Sequence, residues 1–217
     1  MALPPEQYAR ELRFRLALHG PIHVVKVASS LGIEVHEGEL DQCDGALLRL
    51  GGTALILVSR KCAYDSRKRF TVAHELGHFY IPSHNSPEFR CTEAEIANYR
   101  SVRIREREAN GFASELLLPA SELQKALKEP PSIQVVSDLA QSYGTSMMAT
   151  AVKVVQATCE SVAVVLSSRG RIEWAVRSRS FPFSIRSGTL HEHTYAIDYF
   201  TSGYLPGCTK QVLLSAW

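Results

Sequence analysis

Residues 69–80 read RFTVAHELGHFY, and within them His74-Glu75-Leu76-Gly77-His78 decides what the fold must accommodate. Two histidines at i and i+4 share one face of an α-helix, so both imidazoles can reach one ion. The glutamate beside the first histidine can touch a water on that ion and take its proton. Zinc acidifies such a water and polarises a carbonyl, so the pattern reads as metal-assisted hydrolysis with Glu75 as base. The bland alternative is a solvated face carrying two unrelated histidines. The neighbours argue against it. Phe70, Val72, Ala73, Leu76, Gly77, Phe79 and Tyr80 make this helix largely apolar, and polar groups held among apolar ones need a partner.

A catalytic zinc takes three protein ligands and leaves one place to water. Two residues compete for the third place. His84 lies ten residues after His74, the spacing of the pattern HExxHxxGxxH. That pattern turns sharply at a glycine, where this chain has Ile81 and then Pro82. A loop histidine is the simpler reading of His84. The other candidate is Glu106 in REREANGFASELLLP (105–119). Glu106 and Asn110 stand one helical turn apart on one face, with Ala109, Ala113 and Leu117 on or beside it. Small residues there let this helix approach the first closely. Glu106 can then ligate while Asn110 bonds a ligand histidine. Glu106 is the stronger candidate, against a solvated charge in an Arg- and Glu-rich stretch. Glu108 points about 160° from Glu106 and reads as a surface ion pair with Arg105 or Arg107.

Working outward, residues 6–18 and 22–31 read as helices, the second stopped at Gly32. Residues 33–36, 46–50 and 53–59 read as strands of a small antiparallel sheet, with Gly51-Gly52 at a hairpin turn. Helix 65–80 follows, with Asp65 as N-cap and Pro82 as stop. Residues 83–100 read as loop-rich. Helices over 103–118 and to about Lys128 lead to a break at Glu129-Pro130-Pro131. Beyond it lie helices 133–143 and 146–157, then strands 162–167, 171–177 and 194–200. This is an α+β fold in three segments: a core to residue 130, a helix-turn-helix-like piece over 131–160, and a small β-rich region over 161–217 of unassigned role.

Composition excludes other classes. The chain has 217 residues, 24 Lys+Arg and 22 Asp+Glu, for a net charge of +2. That balance argues against a dedicated nucleic-acid binder. No apolar run approaches the roughly 20 residues of a membrane helix, so no membrane partner is expected. The start, MALPPEQYARELRFRL, lacks the uninterrupted apolar stretch of a secretory signal. Five cysteines in no C-x-x-C pair fit free thiols in a reducing cytoplasm.

RFTVAHELGHF (69–79) and EREANGFASELLLP (106–119) together resemble the ImmA/IrrE family of zinc metallopeptidases. The second motif has the form E-x-x-A-N-x-F-A-x-x-L-L-x-P. The likeness covers roughly residues 10–130 and is weak elsewhere, and Leu118 stands where the family often has methionine. It implies zinc on His74, His78 and Glu106, Glu75 as general base, and a minimal gluzincin-type core. It also implies cleavage of a protein substrate, a helix-turn-helix transcriptional repressor. On this reading a substrate strand adds to a sheet edge near Thr53–Ser59, and Tyr80, His84 and Tyr64 are candidates to stabilise the oxyanion.

Residues 137–157 resemble a helix-turn-helix, with Gly144 at the turn and Ala140 at the close contact. Its second helix offers only Lys153 and Gln156 to bases, so direct nucleic-acid recognition is not expected. Met147 and Met148 read as helix core. His191-Glu192-His193 reads as an exposed polar loop, since further ligands are missing nearby. Two other classes compete with the peptidase. One is a non-enzymatic metal-containing module that binds DNA or protein. The retained Glu75 argues against it, because a structural zinc needs no base. The other is a metal hydrolase acting on a small amide, which would need a closed pocket.

Overall fold

The computed structural model describes residues 3–212 apart from 42, 63, 87, 92–103 and 128–129. Among the described residues the elements are α1 (Pro5–Arg15), α2 (Val24–Ser30), β1 (Ile33–Gly38), β2 (Gly45–Leu50), β3 (Thr53–Ser59), α3 (Asp65–Tyr80), β4 (Glu88–Cys91), α4 (Ile104–Leu117), α5 (Ala120–Ala126), α6 (Ile133–Tyr143), α7 (Met147–Ala157), β5 (Ala163–Ser168), β6 (Arg171–Arg177), β7 (Gly188–Thr189) and α8 (Tyr195–Ser202). The chain packs as two compact units, Met1–Lys128 with Ser132–Lys153, and Glu129–Pro131 with Val154–Trp217.

In the first unit the sheet order is β1-β3-β2-β4. The β2–β3 hairpin turns on Gly51 and Gly52, at φ 52° and 100°, where a side chain would be strained. The α+β core is as the sequence implies, but the sheet is mixed: β1 runs parallel to β3, with Ile33 opposite Ala54. The apolar run of β3 suits a strand hydrogen-bonded on both sides. Thr53–Ser59 therefore offers no free edge to a peptide. The edge beside α3 belongs to β4, which formed in a stretch read as loop. It pairs antiparallel with β2 through Leu47 and Phe89. The remainder of that stretch, 92–100, lies outside the described residues, as do Arg103, Lys128 and Glu129.

Residues Thr71–His78 of α3 are all buried. The helix packs on β2 and β3 and across α4, around Leu47, Ile56, Val72, Leu76, Phe112 and Leu116. Gly77 permits the crossing. A Cβ there would stand 3.1 Å from the Ala109 Cα and 3.2 Å from Phe112. Tyr64, not Asp65, is the N-cap of α3, and Asp65 complements the dipole from the first turn.

Helices α6 and α7 join through Gly144, left-handed at φ 61°. Arg69 on α3 donates to the carbonyls of Tyr143 and Gly144 at 3.1 and 3.2 Å and to that of Ile22 at 2.9 Å, clamping this turn to the core. Lys153 is buried and donates to Glu115 on α4 at 2.6 Å, so it is not displayed to a nucleic acid. Met147 and Met148 are exposed rather than core; they stand in the first turn of α7, which Ser146 caps by accepting from the Ala149 amide at 3.2 Å.

In the second unit β5, β6 and β7 form an antiparallel sheet. Residues 194–200, read as a strand from their aromatic and β-branched content, instead enter helix α8. Thr194 Oγ1 accepts from the Ile197 amide at 3.3 Å, and Gly203 closes the helix at φ 74°. The two caps override composition. His191, Glu192 and His193 are exposed.

Candidate metal centre

Helix geometry puts His74 above His78 on α3, and the Gly77–Ala109 contact brings Glu106 of α4 to them. His74 Nε2 lies 3.1 Å from His78 Nε2 and 3.1 Å from Glu106 Oε2. His78 Nε2 lies 3.5 Å from the same oxygen. All three residues are buried. Among the described residues this is the group of His, Cys, Asp or Glu side chains that can hold a metal ion.

Two observations test the fit. The first is spacing. Donors at zinc bond lengths of about 2.0–2.1 Å, arranged tetrahedrally, stand roughly 3.3–3.4 Å from one another, which the three distances bracket. The second is the proton inventory. His74 Nδ1 is 2.9 Å from Asn110 Oδ1, an acceptor, so the proton sits on Nδ1 and Nε2 carries a lone pair. Burial, more than any neighbouring charge, pulls the His78 pKa down to about 4, so its ring is neutral at pH 7. Burial alone would raise the Glu106 carboxyl. The histidine hydrogen bonds and charges outweigh this and hold it well below the ordinary value. Two imidazole lone pairs and a carboxylate oxygen thus converge, which is repulsive unless a cation joins them. The donor set fits a metal ion.

Glu75 is fully buried beside His74 and points toward β2. A Cβ at Gly45 would stand 2.8 Å from Glu75 Oε1 and would also meet Thr71 Cγ2, so glycine at the start of β2 leaves the carboxylate its space.

His84 does not enter the cluster. It is buried behind His78, with Nδ1 3.0 Å from His78 Nδ1 and Nε2 2.8 Å from Glu108 Oε2. Glu108 therefore pairs with His84, and not with the arginines beside it. Phe89 of β4 stacks on the His78 ring at 4.1 Å between centroids. Arg49 of β2 donates to the His78 carbonyl at 2.7 Å, to the Ser86 carbonyl, and over the Phe79 and Phe89 rings. Sequence reading missed Phe89 and Arg49, which no local spacing marks. The three oxyanion candidates are not gathered here. Tyr64 is exposed at the far end of α3, Tyr80 directs its hydroxyl toward Glu11 of α1 at 3.5 Å, and both ring nitrogens of His84 are engaged.

The family model described as Peptidase_M78, IrrE N-terminal-like domain, matches residues 28–154. No curated protein sequence matches this chain. Among solved structures, a Mycobacterium tuberculosis transcriptional regulator is similar in fold, with a TM-score of 0.56 and 16% identity over 83% of this chain. The present chain spans about half of that protein's length, 56%. Among the described residues no helix is long and apolar enough to cross a membrane.

Proposed function

Because this chain belongs to the Peptidase_M78 family of IrrE N-terminal-like domains, we propose that it is a zinc-dependent endopeptidase acting on a protein, a helix-turn-helix repressor. The observation that carries this reading is the convergence of three lone-pair donors one residue from a buried glutamate. His74, His78 and Glu106 hold the ion, and this mixed imidazole–carboxylate set suits zinc. Bound zinc supplies Lewis acidity, polarising the scissile carbonyl and acidifying the attacking water. Glu75 accepts the proton of that water and passes it to the leaving amine. Asn110 fixes the His74 ring through Nδ1. The substrate adds as an extended strand to β4, whose outer edge pairs with nothing among the described residues.

A second reading, a metal-containing regulator without peptidase activity, takes support from the name of the M. tuberculosis chain. It gives Glu75 no task. The test is zinc content and cleavage of a helix-turn-helix repressor encoded beside this gene, for wild type, Glu75→Gln and Glu106→Ala. Wild type and Glu75→Gln are expected to hold one zinc per chain. Cleavage is expected from wild type and to fall about 10³-fold in Glu75→Gln. Equal cleavage by Glu75→Gln removes the base assignment.

A further inference from the structure

We propose that Glu108 and His84 form a two-residue relay that fixes the protonation pattern of His78, making His84 and Glu108 positioning residues of the metal centre. The proposal rests on the metal-site reading above and goes beyond it. The loop after α3 makes the relay possible. Pro82 stops the helix, and the His84 amide donates to the Ile81 carbonyl at 3.0 Å, a tight turn that folds His84 back behind His78. Glu108 reaches the same ring from the face of α4 away from Glu106. One helix thus addresses His78 twice, directly through Glu106 and indirectly through Glu108.

For a neutral His84 ring, these contacts admit one arrangement of protons. A carboxylate only accepts, so His84 Nε2 carries the proton it donates to Glu108 at 2.8 Å. A neutral imidazole has one N–H, so His84 Nδ1 is an acceptor. His78 Nδ1, 3.0 Å away, must supply the proton. His78 Nε2 is left with its lone pair directed at His74 Nε2 and Glu106 Oε2. Phe89 stacked on His78, and tilted against His84 at 5.9 Å between centroids, shields these bonds from water, where they are stronger. The two ligand histidines are therefore held unequally. His74 donates to the neutral amide of Asn110, while His78 donates to an imidazole that is itself polarised by a carboxylate. The second arrangement makes the ligand nitrogen more basic.

The test is zinc affinity by competition with a chromophoric chelator, together with the visible absorption of the cobalt-substituted protein. Wild type, His84→Phe, His84→Gln and Glu108→Gln are compared. His84→Phe keeps the bulk but removes the acceptor, and zinc affinity is expected to fall 10–100-fold. His84→Gln, whose amide oxygen can accept from His78, is expected to restore part of that loss. The Glu108 side chain is 33% exposed, so Glu108→Gln leaves the core packing in place. It is expected to weaken zinc about 10-fold and shift the cobalt bands. If wild type binds zinc and all three variants match it in affinity and spectrum, the relay is overturned while the site stands. If wild type binds no zinc, both readings fall together.

Discussion

Helix α4 carries two buried glutamates that meet opposite fates, and the contrast between its ends explains the molecule. Glu115, near the C-terminal end, accepts from Lys153 at 2.6 Å and from Arg10 at 2.8 Å, and caps the start of α5 through the Ala120 amide at 3.4 Å. Its cations are built into the chain. Glu106, near the N-terminal end, faces the Nε2 atoms of His74 and His78, at 3.1 and 3.5 Å. A cation to answer it would come from solution. A buried carboxylate answered by lysine is a fastener. A buried carboxylate answered by lone pairs is a binding site.

Three substitutions and one titration probe the two ends of the helix separately. Glu106→Ala should lower zinc affinity by well over 100-fold, since loss of even a supporting partner costs 10–100-fold. Compared metal-free with metal-free, the variant should melt no lower than wild type, because it relieves the crowding of lone pairs around the carboxylate. Lys153→Ala should do the reverse. It leaves Glu115, whose side chain is 1% exposed, with Arg10 as its counter-ion, and should cost about 2 kcal/mol in urea unfolding while zinc stoichiometry stays at wild-type level. Gly77→Ala should fall between them. Its Cβ meets Ala109 and Phe112, so α4 must retreat, costing about 1–3 kcal/mol and weakening zinc by calorimetry.

Acid should distinguish the two ends in the smallest and most graded way. Burial raises the Glu115 carboxyl, but Lys153 and Arg10 outweigh it and leave the group below its ordinary value of 4.5. A depressed carboxyl contributes stability that is complete above its unfolded pKa and is lost as pH falls through the folded one. Metal-free wild type should therefore lose urea stability more steeply below about pH 4.5 than Glu115→Gln, measured by fluorescence at stepped pH. Parallel curves would mean that the Glu115 pairing contributes nothing.

The sequence made the ligand end legible and left the fastener hidden, for a physical reason. His74, His78, Glu106 and Asn110 announce themselves by i, i+4 spacing within two helices, and the bounds of α3 follow from Pro82 and the apolar run. What remained invisible depends on chain segments meeting at a distance. Glu108 looked like a surface charge on its helix alone, and only the turn at Ile81–His84 gives it a partner. Lys153 stood in the sequence as one of only two residues its helix could offer to bases, and only its bond to Glu115 shows it turned into the core. The parallel pairing of β1 with β3 is likewise non-local, as is the edge position of β4. The misread strand at 194–200 is different: its caps, Thr194 and Gly203, were in the sequence and were outweighed by composition.

Helices α3 and α4 bring together donors that the chain cannot satisfy by itself. Zinc per chain, measured by elemental analysis on purified wild type and Glu106→Ala side by side, is the decisive readout. One zinc per wild-type chain and almost none in the variant are expected. Wild-type protein without zinc, or a variant that keeps it in full, would rule the metal site out.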